Sequence, residues 1–111
     1  ISLSVIITNL ITDYDDSILW KITFVEDDVI TISYNGKNLG MQSGYNGIGL
    51  GEKYSCDRWQ LLKQADNTYL ILNTECNFYL EWFVEKNNWS THDKLNSSNR
   101  DQFLLKLEKI S

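Results

Sequence analysis

Three times in this chain an aromatic residue opens a short strand-like run: Trp20-Lys21-Ile22-Thr23-Phe24, Trp59-Gln60-Leu61-Leu62-Lys63 and Phe103-Leu104-Leu105-Lys106-Leu107. The aromatics stand 39 and 44 residues apart, and self-similarity at such a period constrains the fold more than any single motif. The first two units align well beyond their aromatic. After Trp20 come the acidic turn Glu26-Asp27-Asp28 and the run Val29-Ile30-Thr31-Ile32; after Trp59 come Ala65-Asp66-Asn67 and Tyr69-Leu70-Ile71-Leu72. Each reads as strand, turn, strand. Asn35-Gly36 is a strong hairpin signal, and nine residues beyond Leu39 and Leu80 lie the short runs Ile48-Gly49-Leu50 and Trp89-Ser90-Thr91. The spacing therefore predicts four strands per unit.

One domain, residues 1–111, accounts for the length. No stretch holds a sustained helical period, proline is absent, and the apolar residues are largely β-branched or aromatic. A formal net charge of −5 with no run of basic residues lacks the electrostatic footprint of a nucleic-acid binder. No apolar stretch approaches the ~20 residues of a membrane-spanning helix, so no membrane insertion by this chain is expected. The chain opens at Ile1 in mid-pattern, with neither an initiator Met nor a visible signal peptide, and is read as a processed or truncated product.

A four-stranded unit of about 40 residues suits a propeller blade or one third of a β-trefoil. A propeller needs more units than this chain supplies. The pattern over nearly the whole chain resembles the β-trefoil superfamily that includes ricin-B-type lectins. The resemblance implies an all-β, non-enzymatic fold whose repeated aromatics, Trp20 and Trp59 among them, point into a shared core. Counted against twelve strands, the chain is about two short in the first repeat, with Leu3 to Thr8 supplying one strand ahead of Trp20. Upstream residues or another chain are expected to complete it.

Sugar sites combine an aromatic face with planar carboxylate or amide groups that hydrogen-bond hydroxyls. Carried onto the last repeat, the resemblance implies a carbohydrate site of Glu81, His92, Asn99, Asp101 and Gln102. The middle repeat departs from the pattern: Gly40 stands at the place of the acid and Gly51 at that of the aromatic. In the Gln-any-Trp signature of the family, Asp101 and Asp57 occupy the glutamine position. After Leu80, alternation turns Trp82 to the core face and Tyr79 and Phe83 outward.

The runs 67–72 and 103–110 resemble the small β-trefoil haemagglutinin component of clostridial neurotoxin complexes, which implies an assembly module. The alternatives to a secreted lectin that binds a glycan or glycoprotein are thus a toxin-complex adaptor or a trefoil protease inhibitor using 41–52 or 85–88. No catalytic constellation forms around the single histidine, His92. The acidic cluster Asp13, Asp15, Asp16 lacks the glycine and bidentate Glu of a calcium loop, and neither a metal nor a cofactor is expected. If the hairpin turns at Ala65-Asp66-Asn67, paired positions sum to about 132, which sets Cys56 opposite Cys76 as a cross-strand disulfide or as two free thiols. Asn88-Trp89-Ser90 and Asn96-Ser97-Ser98 are glycosylation sequons should the source be eukaryotic.

Overall fold

In the computed structural model, which describes residues 2–9, 20–44, 47–65, 68–83, 85, 88–95 and 100–109, the alternation of apolar and polar residues becomes a strand system. The strands are β1 (Ser2–Asn9), β2 (Trp20–Glu26), β3 (Val29–Tyr34), β4 (Lys37–Met41), β5 (Ile48–Leu50), β6 (Trp59–Ala65), β7 (Thr68–Asn73), β8 (Tyr79–Phe83), β9 (Asn88–His92) and β10 (Leu105–Lys109). Six of them close on one another. β1 pairs with β2, β2 with β3, β3 with β6, β6 with β7, β7 with β10, and β10 returns to β1, all antiparallel. The result is a barrel without edges. The pairs β4–β5 and β8–β9 are hairpins outside that ring, attached to it through β3 and β7.

Turn chemistry fixes the registers. Asn35 and Gly36 both take positive φ, 52° and 76°, as a two-residue primed turn demands, and the turn sets Tyr34 opposite Lys37. At the acidic turn, Asp27 has φ of 35° and a register shift between Phe24 and Glu26 admits the extra residue. Charge on that turn faces solvent. The β6–β7 hairpin pairs Trp59 with Asn73 and Leu61 with Ile71, the register expected from the sequence.

The core is the inward face of this barrel. Val5, Ile7, Ile22, Ile30, Ile32, Ile71 and Leu105 are buried in it, with Leu39, Met41 and Leu80 entering from the hairpins. Trp59 is fully buried, and its indole Nε1 donates to the Leu39 carbonyl at 2.9 Å, tying the β4–β5 hairpin to the barrel. Trp20 is buried against Tyr34 with ring centroids 5.9 Å apart. Phe103 is also fully buried but does not open a strand. It follows a 3₁₀ turn, Arg100–Gln102, and the strand starts at Leu105. The ring of Phe103 meets Tyr79 and His92 at right-angled stacking distances of 6.1 and 6.4 Å, so the third aromatic supports a hairpin where the first two fill the barrel.

β1 occupies the barrel place between β10 and β2. Residues 10–19 between β1 and β2, with Asp13, Asp15 and Asp16 among them, lie outside the described residues. Among the described residues no helix is long and apolar enough to cross a membrane.

Candidate functional site

Five residues at each edge build the β8–β9 hairpin, and its two faces differ in chemistry. Residues directly opposite in an antiparallel pair share a face. Leu80 pairs with Thr91 and Trp82 with Trp89 on one side; Tyr79 pairs with His92, Glu81 with Ser90 and Phe83 with Asn88 on the other. Trp82 is buried and packs edge-on against Trp89, centroids 5.2 Å apart. The second face carries the polar groups. Phe83 and Tyr79 are half-buried there, while Glu81 is only 3 % exposed.

A carboxylate so placed has lost most of its water, and burial pushes the Glu81 carboxyl up from its ordinary value while the nearby His92 pulls against that rise. Gln102 reaches it from the 3₁₀ turn, its Nε2 donating to Glu81 Oε2 at 3.5 Å. The imidazole of His92 is exposed, and its Nδ1 accepts the Lys94 backbone N–H at 3.0 Å. With Nδ1 so engaged, Nε2–H is the ring's remaining donor. Glu81, Phe83, Asn88, Trp89, Ser90 and His92 line an open cleft of about 480 Å³, together with Gly47 and Ile48 at the start of β5. Its size is that of a small-molecule site.

Of the residues expected from the sequence, Glu81, His92 and Gln102 come together here. Asp101 is exposed beside them on the 3₁₀ turn and does not line the cleft. Asn99 lies outside the described residues. Phe83, Asn88 and Ser90 join the site without a motif that places them there; only the outward phase of Phe83 points to it. Asn88 opens one of the two sequons and lines the same cleft, so a glycan on it would occupy the mouth.

The middle unit has a different answer at the corresponding place. A Cβ on Gly40 would collide with the Tyr54 carbonyl, and one on Gly49 would collide with the Tyr54 ring. The two glycines are the seat of Tyr54. A cleft of about 630 Å³ opens beside it between Lys37, Asn38 and Asp57, but Asn38 Nδ2 already donates to Asp57 Oδ2 at 2.8 Å. That carboxylate has a short-range partner within the protein, whereas the contact of Glu81 with Gln102 is a long one.

Cys56 and Cys76 lie beyond the β6–β7 ladder, which ends at Trp59 and Asn73: Cys56 bridges Met41 and Cys76 sits in the turn that follows Asn73. Both are thiols here, and the Cys56 thiol lies within hydrogen-bonding reach of the Cys76 sulfur and the Glu75 carboxylate. Burial first, and these neighbours second, push Cys56 up to about 12. Among the described residues no group of three or more His, Cys, Asp or Glu side chains is placed to hold a metal ion. The chain matches no protein-family model and no curated protein.

Proposed function

We propose that this chain is a β-trefoil module that binds carbohydrate through the β8–β9 hairpin. The trefoil reading is supported by the six-stranded ring with hairpins β4–β5 and β8–β9 set at equivalent points of its circuit, one for each of two successive four-strand units. The observation that carries the sugar reading is Glu81. Burying a carboxylate whose described hydrogen bond is a long one costs stability, and a polyol offers further partners as a fan of hydroxyl donors. Gln102, Ser90, Asn88 and the His92 Nε2–H supply further donors and acceptors around it, and Phe83 and Trp89 give apolar surface for the carbon face of a pyranose. On this reading the module is non-enzymatic. Secretion belongs to the same reading, since glycans of cell surfaces and matrices are the ligands at hand.

A protein-interaction role has one observation of its own. Phe24, Leu61, Leu62 and Tyr69 line an open groove of about 700 Å³ next to Asp27 and Asp28, and Val25 on the same hairpin is 45 % exposed. An adaptor subunit would dock there, on the side of the barrel carrying the β2–β3 and β6–β7 turns. A glycan array separates the two readings. Specific glycan signal from the purified chain supports the lectin; no signal on any glycan, together with a partner protein lost on Val25→Asp, supports the adaptor and overturns the lectin.

A further inference from the structure

Asn73 is the last residue of β7 and is fully buried. Its side chain clamps both cysteines at once. Nδ2 donates to the Cys56 carbonyl at 2.8 Å, and Oδ1 accepts the backbone N–H groups of Glu75 and Cys76 at 3.1 and 3.0 Å. Cys56 is held from its other side by two backbone bonds to Met41, at 2.9 and 3.0 Å. Cys76 sits in a turn closed by Asn77 N–H to the Asn73 carbonyl at 2.9 Å, with Asn77 at φ of 60°. The backbones on both sides of the thiol pair are therefore pinned.

From this geometry we propose that Cys56 and Cys76 form a redox-exchangeable disulfide, with Cys76 the entry thiol and Glu75 the proton acceptor for Cys56. The proposal is independent of the carbohydrate reading. Cys76 is half-buried and Cys56 is buried, so an external disulfide reaches Cys76 alone. The Cys76 thiolate attacks one sulfur of a small disulfide such as oxidised glutathione, forming a mixed disulfide and releasing one glutathione thiolate, which takes up a proton. Cys56 then attacks the Cys76 sulfur, its proton passes to the Glu75 carboxylate and on to solvent, and the second glutathione leaves. Two protein thiols are oxidised and one glutathione disulfide is reduced to two thiols. The bond joins two places: Cys56, bridged to Met41 of the β4–β5 hairpin, and the turn that launches β8. Closure would thus staple the roots of both hairpins to each other.

The test titrates native, fully reduced protein with oxidised glutathione and reads intact mass after acid quench. The expected product is lighter than the reduced protein by two hydrogens, with no glutathione adduct and no remaining thiol. Cys56→Ser should instead carry one glutathione, and Cys76→Ser should carry none. Glu75→Gln should leave the first exchange unchanged and slow closure by about 100-fold or more, as loss of a positioned base does. The effective concentration of Cys56 towards the mixed disulfide should fall at least tenfold in urea. A persistent adduct on the wild-type chain, unreacted thiols, adduct on Cys76→Ser, closure as fast in Glu75→Gln, or closure no more favourable in the native state than in urea would each overturn the proposal.

Discussion

Replacing Asn73 by alanine probes the joint between barrel and hairpins, because one side chain there makes three hydrogen bonds to backbone groups. The Cys56 carbonyl keeps its bond from the Met41 N–H, so it is not orphaned. The N–H groups of Glu75 and Cys76 lose their acceptor, but Glu75 is exposed and Cys76 half-buried, so water can reach them. The cost is then the net worth of three hydrogen bonds, about 1 kcal/mol each, or about 3 kcal/mol. With an unfolding entropy of about 2.1 cal/mol/K per residue over 111 residues, that lowers Tm by about 13 °C. Urea unfolding followed by tryptophan fluorescence, with the m-value checked against wild type, measures it. A loss of less than about 0.5 kcal/mol for Asn73→Ala, smaller than the net worth of one hydrogen bond, would refute the clamp.

Glu81 gives the same kind of test with a trade-off. Because burial raises its folded-state pKa, the stability it contributes is full at acid pH and is lost as pH rises through that pKa; Glu81→Gln should therefore be more stable than wild type at neutral pH and match it under acid, in thermal melts at both. Trp59→Phe keeps the ring but removes the 2.9 Å bond to the Leu39 carbonyl, and should cost about 2 kcal/mol by urea denaturation. Gly40→Ala places a methyl against the Tyr54 carbonyl with no flexible side chain to yield; we expect a loss of about 2–3 kcal/mol and a changed tyrosine signal in near-ultraviolet circular dichroism. Closing the Cys56–Cys76 bond, which spans a ring of about 20 residues, should stabilise the fold by about 3 kcal/mol on the chain-entropy account, read as a higher Tm for the oxidised form.

What the sequence made legible is what depends on local rules. Asn35-Gly36 requires positive φ at both positions, so the turn and the start of β4 follow from two residues. The β6–β7 register follows from a short turn and a period of two. Glu81 shows where such rules stop. Alternation turns it away from the barrel interior, as expected, but says nothing of depth; it is buried because Gln102 and Phe103, some twenty residues away, fold over the same face. Phe103 itself keeps the repeat interval while its backbone forms a turn, since the spacing of an aromatic reports the pocket it fills and not the strand around it. Asn73 carries no motif at all. Its role comes from the meeting of a strand end, a turn and a strand entry that no local window contains.

The carbohydrate reading rests on Glu81, and the most direct test compares glycan-array binding of wild type, Glu81→Gln and Glu52→Gln, the last an exposed carboxylate beside the other cleft. Loss of a charge-assisted hydrogen bond of about 1.5–3 kcal/mol predicts that Glu81→Gln weakens the glycans bound by wild type by roughly 10- to 100-fold, while Glu52→Gln binds them unchanged. Equal binding by wild type and Glu81→Gln, or loss in Glu52→Gln instead, would contradict the account.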